Sequence, residues 1–255
     1  MAQRITRGSI WGYRRAARCL NMHGSFKDVS VVIPVHNGEF FVCEAIASAL
    51  GQTGVSVEVI VVDNLSTDRT REVVEAACGG SVTLAFEPHR GPAAARNCGA
   101  RLATGTHLAF LDADDLWAPD KLERQIHELA TRPGIDMVFG HCQDFHDPRL
   151  APEERSRLQC RPEPYPSLSA TTVLVRRETF RRVGDFPDVQ AGEFIAWFGW
   201  AQSLGLRAFV MPDVLAKRRV HGRNWSLNRG ALADYPMAAK WLLDKRRRAQ
   251  ASCSG

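Results

Sequence analysis

Short β-branched runs alternate with helical patterns through residues 29–111, and this alternation constrains the fold more than any other feature of the chain. The run VSVVIPV is followed by a helical pattern that ends at Gly51, and VEVIVVD ends in Asp63 before the next helical pattern. Strands that alternate with helices form right-handed βαβ units, which place the strands parallel in one sheet with helices on both faces. The sequence therefore predicts an α/β domain with a mostly parallel central sheet.

The second half of the chain is less regular. Ser66 or Thr67 is expected to cap the second helix of the first half. Beyond residue 130 the pattern gives a strand over 135–145, two helices in RRETFRRVG and EFIAWFGWAQSLGL, and a strand-rich stretch in LRAFVMPDVLAKRRVHG. Residues 147–166 are rich in proline and charge and predict an irregular loop. No linker divides the chain, so we expect a single domain.

Three polar clusters follow predicted strands: Pro34-Val35-His36-Asn37, Asp63-Asn64 and Asp112-Ala113-Asp114. Because the carboxyl ends of parallel strands meet at one edge of a sheet, where ligands bind, we expect these clusters to lie together. Asp112, Asp114 and Asp115 also repel one another, and burying them is costly unless a cation compensates. Either they face water on a loop, or a positive group lies among them.

The net charge of +5 is unevenly distributed. Residues 1–27 carry six basic residues and no acid, and residues 240–255 carry five against one Asp, which leaves residues 28–239 at −5. A nucleic-acid-binding protein should carry its positive charge on the folded body, so no nucleic-acid partner is expected. The basic ends favour plain solubility or peripheral contact with an anionic membrane.

The seven cysteines are scattered and form no Cys-x-x-Cys pair, which is typical of reduced thiols in a cytosolic protein. The first residues contain arginines but no continuous apolar core of the kind found in a secretory signal. We therefore expect a cytoplasmic location, with the inner face of the membrane as an alternative.

The motifs at the strand ends are similar to those of a known family. VSVVIPVHNGE, VIVVDNLSTDRT, GPAAARNCGA, FLDADDLWAPDKL and, less closely, KRRVHGRNWS occur in one order over about residues 28–226. This pattern resembles the inverting family-two glycosyltransferases of the GT-A fold. The resemblance implies a basic N-terminal extension (1–27), a GT-A domain (28–226) with a nucleotide-sugar half (28–130) and an acceptor half (131–226), and a helical basic tail (227–255).

The resemblance also implies a metal-dependent transfer of a sugar from a nucleotide diphosphate to an acceptor, with inversion. Asp112-Ala113-Asp114 fits the family's Asp-x-Asp motif, so Asp114 would touch Mn²⁺ or Mg²⁺ while Asp112 and Ala113 would lie nearer the ribose. A hard cation of this kind bridges one or two carboxylates to phosphate oxygens. Asp115 is expected to be a helix N-cap or a supporting acid. The acceptor could be a saccharide, a lipid carrier, a peptide or a small metabolite.

His221 corresponds to the family's C-terminal His motif and would add a metal or diphosphate contact. Arg218, Arg219 and Arg223 would suit phosphate oxygens. Arg96 could face phosphate or ribose, or could be an ordinary surface residue of an Ala-rich helix.

Asp63 and Asn64 stand where the family recognises the base. Either side chain could meet the N3–H of uracil, so the donor is expected to be a UDP-sugar, although a helix-cap role for both residues is the alternative. Pro34, Val35 and Asn37 would line the nucleotide pocket.

The chain departs from the family pattern at the catalytic base. Family members carry a Glu-Asp pair before a helix, whereas Glu193 is followed here by Phe194. Since one residue turns a helical side chain by about 100°, Glu193 is the candidate base only if the helix begins suitably. Asp185 and Asp188 are the reserve candidates. The alternative function is a nucleotide-sugar-binding domain that lacks a competent base.

Overall fold

The computed structural model describes residues 27–224 and 234–253, so the predicted extension over residues 1–26 and part of the predicted tail lie outside the described residues. The strands are β1 (Val29–Val35), β2 (Val57–Asp63), β3 (Thr83–Phe86), β4 (His107–Phe110), β5 (Leu116–Trp117), β6 (Met137–His146), β7 (Tyr165–Ser167), β8 (Leu174–Arg176) and β9 (Ala208–Val220). The helices are α1 (Val42–Leu50), α2 (Thr70–Cys78), α3 (Pro92–Leu102), α4 (Lys121–Thr131), α5 (Pro152–Arg157), α6 (Arg177–Val183), α7 (Glu193–Ser203) and α8 (Tyr235–Cys253).

All of these strands belong to one sheet in the order β3-β2-β1-β4-β8-β6-β9-β5, with β7 paired to β6. The pairs among β1, β2, β3 and β4 are parallel, as predicted. Beyond β4 the sheet is mixed, because β8 is antiparallel to β4 and β6 while β6 and β9 are parallel. The prediction of a mostly parallel sheet therefore describes the first half of the chain.

Buried side chains cover both faces of the sheet. One core cluster joins the sheet to α1, α2 and α4 and includes Ile46, Val74 and Leu122. The other joins it to α3, α6 and α7 and includes Phe180 and Trp197. Residues of β1 alternate between the two clusters, as the two-residue period of a strand requires.

Close packing of α3 on the sheet explains the small residues in PAAARNCGA. A Cβ on Gly99 would lie 2.3 Å from Val32 Cγ1 of β1, so glycine lets the helix approach the strand. This approach carries Arg96 of the same helix below the carboxyl edge of the sheet, where it is 6% exposed. The prediction that Arg96 could be an ordinary surface residue is therefore wrong.

Two local predictions are also wrong. α2 begins at Thr70 after Arg69, and Ser66 and Thr67 do not cap it because both are hydrogen-bonded to Asn37. The loop predicted over residues 147–166 contains α5 and the start of β7.

The helix α8 packs against α7 rather than standing free of the domain. A Cβ on Gly199 of α7 would lie 2.7 Å from Leu242 Cδ2 of α8, and Arg246 Nε donates to Ser203 Oγ over 2.7 Å. None of the described helices is both long enough and apolar enough to cross a membrane.

Candidate active site

A cleft of about 700 Å³ opens at the carboxyl edge of the parallel strands. Its walls come from the loops after β1 and β4, from α3, from the start of α7 and from the residues after β9. Ten of the predicted site residues line it: Pro34, Val35, Asn37, Asn64, Arg96, Asp112, Ala113, Asp114, Glu193 and His221. Asp63 is buried and is not among the lining residues.

The loop after β1 is held in shape by its own polar residues. Asn37 has a positive φ of 54°, a conformation that asparagine tolerates better than most residues. Its backbone N–H donates to Ser66 Oγ over 2.9 Å, and its Oδ1 accepts from the Thr67 N–H over 2.8 Å. These bonds fix the first cleft wall to the loop after β2.

Asn64 serves the architecture of the cleft. Its Nδ2 donates to the carbonyls of Glu87 and His89 over 2.9 and 2.7 Å, and its Oδ1 accepts from the Gly91 N–H over 2.8 Å. The side chain thereby anchors the loop that leads into α3. Both Nδ2 hydrogens are engaged in these bonds, whereas the second lone pair of Oδ1 could still accept a hydrogen bond from a nucleotide base.

The preceding residue, Asp63, has an unsatisfied atom. Its Oδ1 accepts from the Ser66 N–H over 3.2 Å, whereas Oδ2 is buried and has no hydrogen-bond partner within the described residues. Because a buried acceptor without a donor is costly, this oxygen needs a ligand or water.

Arg96 joins two carboxylates inside the cleft wall. Its Nη1 donates to Glu193 Oε1 over 2.5 Å and its Nη2 donates to Asp112 Oδ1 over 2.6 Å. Burial alone would lower the pKa of the guanidinium, but the two carboxylates outweigh burial and raise it. Arg96 therefore stays charged and links α3 to α7 and to the loop after β4.

Phe194 is excluded from acid–base chemistry by its position as well as its type. It is 6% exposed, and its ring lies against Trp197, Phe198 and Phe139, with ring centroids 5.9, 6.3 and 6.1 Å away. Trp197 is fully buried in the same cluster and packs in the core. Glu193, the first residue of α7, is the carboxylate that this helix presents to the cleft.

Asp115 lies beneath the two outer acids. The Arg219 N–H donates to its Oδ1 over 3.0 Å, and burial, with Asp114 and Asp112 nearby, raises its carboxyl pKa well above the ordinary value. The expectation that Asp115 caps a helix is wrong, because α4 begins at Lys121 after Asp120. Asp115 is instead a supporting acid.

Asp114 and His221 converge at the cleft. His221 Nε2 lies 3.0 Å from Asp114 Oδ2, and Asn224 Nδ2 donates to the same oxygen over 3.2 Å. The imidazole stacks on Phe41 with ring centroids 4.6 Å apart. The Arg223 N–H donates to Nδ1 over 3.1 Å, which places the proton of a neutral ring on Nε2 and lets Nε2 donate to Asp114.

The donor set fits a hard divalent cation that also takes phosphate ligands. Within residues 27–224 and 234–253, no group of three or more His, Cys, Asp and Glu side chains could hold a metal ion alone. Mg²⁺ and similar ions are commonly held by one or two carboxylates plus substrate phosphates. Asp114 supplies such a carboxylate, with its side chain 29% exposed. His221 could ligate through Nε2 only if Nδ1 carried the proton and the Arg223 N–H turned away.

The three arginines near His221 differ in position. Arg219 is 2% exposed and donates through Nη2 to Glu44 Oε2 over 2.7 Å and through Nε to the Asp114 carbonyl over 3.0 Å, so it supports the loop rather than lining the cleft. Arg218 and Arg223 do line the cleft.

Two residues that hydrogen-bond to the acidic side chains of the cleft were not predicted from the sequence. Thr171 Oγ1 donates to Asp112 Oδ2 over 3.0 Å, and no motif in the sequence marks this threonine. Asn224 both bonds to Asp114 and accepts from the His221 N–H through Oδ1 over 2.6 Å. Its spacing of three residues from His221 is the signal that could have found it.

A comparison with solved structures identifies the fold. The structure matches a mannosyltransferase from Pyrobaculum calidifontis in complex with GDP-Man and Mn²⁺, with a TM-score of 0.60 and 28% identity over 82% of this chain and 62% of that one. The predicted GT-A fold is thereby confirmed.

The family follows from the sequence comparison. The model of the family Glycosyl transferase family 2 matches residues 30–184, more than half of the chain. The chain belongs to glycosyl transferase family 2, which confirms the predicted resemblance.

The similarity to two curated relatives covers more of the chain than the family model does. An Escherichia coli protein named UDP-Glc:alpha-D-GlcNAc-diphosphoundecaprenol beta-1,3-glucosyltransferase is 28% identical over 210 residues, which is 79% of this chain and 80% of that protein. An uncharacterized glycosyltransferase of Rickettsia prowazekii is 28% identical over 208 residues, 76% of this chain and 64% of its own length. The chain thus spans less than two thirds of some relatives that it matches.

Proposed function

We propose that the protein is a metal-dependent inverting glycosyltransferase that moves a sugar from a UDP-sugar to an acceptor nucleophile. The observation that carries this proposal is the convergence of Asp112, Asp114 and His221 with Glu193 in one cleft at the carboxyl edge of the parallel strands. Membership of glycosyl transferase family 2 supports the reaction class.

Asp63 Oδ2 has no hydrogen-bond partner within the described residues, and a base that offers a ring N–H would supply one if its binding displaced the residues that cover this oxygen. Uracil, thymine and guanine each have one, whereas cytosine has an acceptor at the corresponding ring position. The match to the Escherichia coli relative covers 80% of that protein. Its name includes UDP-Glc, which favours a uridine donor. Pro34, Val35 and Asn37 would pack around the nucleoside, and Asp112 and Ala113 would lie near the ribose.

Asp114 would hold Mn²⁺ or Mg²⁺, and His221 would either complete the site or donate from Nε2 to the diphosphate. Bound there, the cation would neutralise the charge that develops on the leaving diphosphate. Arg218 and Arg223 add positive charge to the same part of the cleft.

Glu193 is the proposed general base. As the acceptor oxygen forms its bond to the anomeric carbon, the bond from that carbon to the diphosphate breaks and the acceptor proton passes to Glu193. Arg96, bonded to Glu193 Oε1, would keep the carboxylate oriented towards the cleft. Its contact to Asp112 would tie that orientation to the donor side of the site.

The acceptor class is open among a saccharide, a lipid carrier, a peptide and a small metabolite. The name of the Escherichia coli relative supports a lipid-linked saccharide. Contact between the basic chain ends and an anionic membrane would bring the enzyme to such an acceptor.

One observation favours a second candidate, a nucleotide-sugar-binding domain without turnover. Phe194 occupies the position of the family's usual base, and Glu193 is 8% exposed and ion-paired. A carboxylate engaged in this way could orient a ligand without accepting a proton.

Nucleotide-sugar turnover separates the two candidates. Release of UDP from a panel of UDP-sugars is measured with Mn²⁺ or Mg²⁺ for the wild type, Asp114→Ala and Glu193→Gln, with Asp120→Asn as a carboxylate control outside the cleft. Turnover in the wild type and the control, but not in the other two variants, supports the enzyme. The binding domain is supported if the wild type binds UDP in a metal-dependent way but none of the four proteins shows turnover, even after candidate acceptors are added.

A further inference from the structure

Exposed large apolar side chains occur both at the mouth of the cleft and on α8. Nine large apolar side chains are exposed in the described part of the chain. Three of them, Leu50, Phe86 and Leu102, occur singly at the ends of α1, β3 and α3, and Phe40 lies on the nucleotide side of the cleft. The remaining five form what we call the apolar ledge: Leu168, Ile195, Tyr235, Met237 and Leu243.

The apolar ledge begins at the mouth of the cleft. Leu168, Ile195 and Tyr235 all line the cleft, and they are 48%, 58% and 43% exposed. α8 starts directly against α7, because a Cβ on Gly192 would lie 3.0 Å from Tyr235 Cδ1. The acceptor side of the cleft therefore continues into α8.

The helix α8 carries the apolar ledge away from the cleft. Ala238, Trp241 and Leu242 face the domain and join the core clusters. Met237 and Leu243 are exposed on the other side of the helix, 56% and 50%, together with Lys240 and Arg247. Positions 237, 240, 243 and 247 are three or four residues apart, so they form one helical face.

The helix α8 is basic as a whole, and Lys240 and Arg247 are the basic residues among the four positions of its outward face. Residues 235–253 contain five basic residues and one acid, Asp244, which lies 3.7 Å from Arg247. Arg246 is bonded to Ser203 of α7, whereas Lys240 and Arg247 are exposed. A helix face that combines Lys and Arg with exposed apolar side chains is typical of helices that lie in the interface of an anionic bilayer.

We propose that the apolar ledge and the outward face of α8 form the surface on which the protein lies against an anionic lipid bilayer. Each Lys or Arg near such a surface contributes about 1 kcal/mol, and Met237 and Leu243 would bury apolar area between the headgroups. A second copy of the chain is a poorer occupant, since a symmetric contact would place these basic faces against each other.

The arrangement would open the cleft mouth at the bilayer surface. If the proposed function holds, a lipid-linked acceptor could reach Glu193 without leaving the membrane. Membrane contact itself does not depend on that function, because Met237, Lys240 and Leu243 lie outside the cleft.

Vesicle sedimentation of the full chain tests the proposal. Binding is measured to vesicles of phosphatidylcholine alone and to vesicles of equal parts phosphatidylcholine and phosphatidylglycerol. The test variant is Met237→Glu/Leu243→Glu, and the control is Leu50→Glu/Leu102→Glu, which changes the net charge equally at two isolated exposed leucines. Circular dichroism melting checks that both variants fold.

We expect the wild type and the control to bind the anionic vesicles, and the test variant to bind them at least about tenfold more weakly, a loss of about 1.4 kcal/mol. Equal binding by the test variant and the control would overturn the proposal, as would self-association of the wild type that the test variant abolishes without any vesicle binding. UDP-sugar hydrolysis measured without vesicles should be the same in all three proteins, so a failed proposed function and a failed membrane surface give different results.

Discussion

Arg96 Nη1 lies 2.5 Å from Glu193 Oε1, and this contact joins α3 to the first residue of α7 across 97 positions of the chain. The same guanidinium lies 2.6 Å from Asp112 Oδ1. One buried cation thus holds the candidate base and the candidate ribose contact in a fixed relationship.

Replacement of Arg96 should destabilise the fold. Arg96→Met leaves Glu193 as a buried carboxylate without its partner, and the removal of one member of a buried ion pair typically costs about 3 kcal/mol or more. Urea denaturation measures the free energy of unfolding. The control is Arg101→Met on the same helix. The Arg101 side chain is 58% exposed and pairs with Glu87 and Asp185, so its replacement should lower the free energy of unfolding by less than about 1 kcal/mol. Equal losses in the two variants would contradict the linking role of Arg96.

Replacement of Asp63 should reduce discrimination between bases. If Asp63 Oδ2 accepts the N3–H of uracil, Asp63→Ala should weaken UDP binding by about 10- to 100-fold, the range for a hydrogen bond to a charged group. CDP binding should change much less, since cytosine offers no N–H at that position. Calorimetric titration of both nucleotides into both proteins measures the difference. A proportional loss for UDP and CDP would show that Asp63 acts only through the loop that contains Ser66.

Lys121 should make stability depend on pH above neutrality. Its side chain is fully buried, its Nζ donates to Gln125 Oε1 over 2.8 Å and lies 4.0 Å from the centroid of the Trp117 ring. Burial lowers the lysine pKa well below its ordinary value. The unfolded chain therefore binds more protons than the folded one between the folded and unfolded pKa values, so the stability contributed by this group increases as the pH rises through that window.

Thermal unfolding from about pH 7 to pH 10, just below the usual lysine pKa, measures this dependence. The rise should be absent in Lys121→Met and present in Lys217→Met, which alters an exposed lysine of β9. The relevant quantity is the difference between each variant and the wild type, because cysteines also titrate in this range. Parallel profiles for the wild type and Lys121→Met would refute the prediction.

Cys43 should be the more reactive of two partly buried thiols. The neighbouring Cys78 thiol lowers the Cys43 pKa to about 7 against an opposing contact, in which Cys43 Sγ donates to the Val73 carbonyl over 3.7 Å, whereas burial raises the pKa of Cys98. Since the thiolate is the nucleophile, Cys43 should react with iodoacetamide at neutral pH about tenfold faster than Cys98. Mass spectrometry of the alkylated peptides measures both rates. Cys78→Ala should slow Cys43 selectively, and an unchanged Cys43 rate in that variant would remove the stated cause.

The sequence predicted the parts of the fold that depend on local patterns. The strands β1 to β4 and the helices between them follow directly from apolar runs and helical periodicity, and the parallel pairing of β1 with β2 and β4 follows from the βαβ rule. The pairing of β6 with β8 and β9 joins segments far apart in the chain, and periodicity does not encode such partners.

The candidate site, like the fold, could be predicted from the sequence only where strand order decides which residues meet. Strand topology brings Asn37 and Asp114 to one edge, and their order in the sequence was enough to predict that they meet. The contact of Thr171 with Asp112 spans 59 positions, and no local signal marks it. The role of Asn64 as an anchor for the loop before α3 likewise depends on backbone groups that come together only in the folded chain.

The most direct test is a calorimetric titration of UDP with and without Mn²⁺ into the wild type, Asp114→Asn and the control Asp120→Asn, whose side chain precedes α4 outside the cleft. Asp114→Asn keeps the size of the side chain but loses the charge that would hold the cation. We expect Mn²⁺ to strengthen UDP binding to the wild type and the control by at least about tenfold, or 1.4 kcal/mol, and to have no effect on Asp114→Asn, with all three proteins melting alike. Manganese-independent UDP binding in the wild type, or an undiminished manganese effect in Asp114→Asn, would contradict the proposed metal-held diphosphate site.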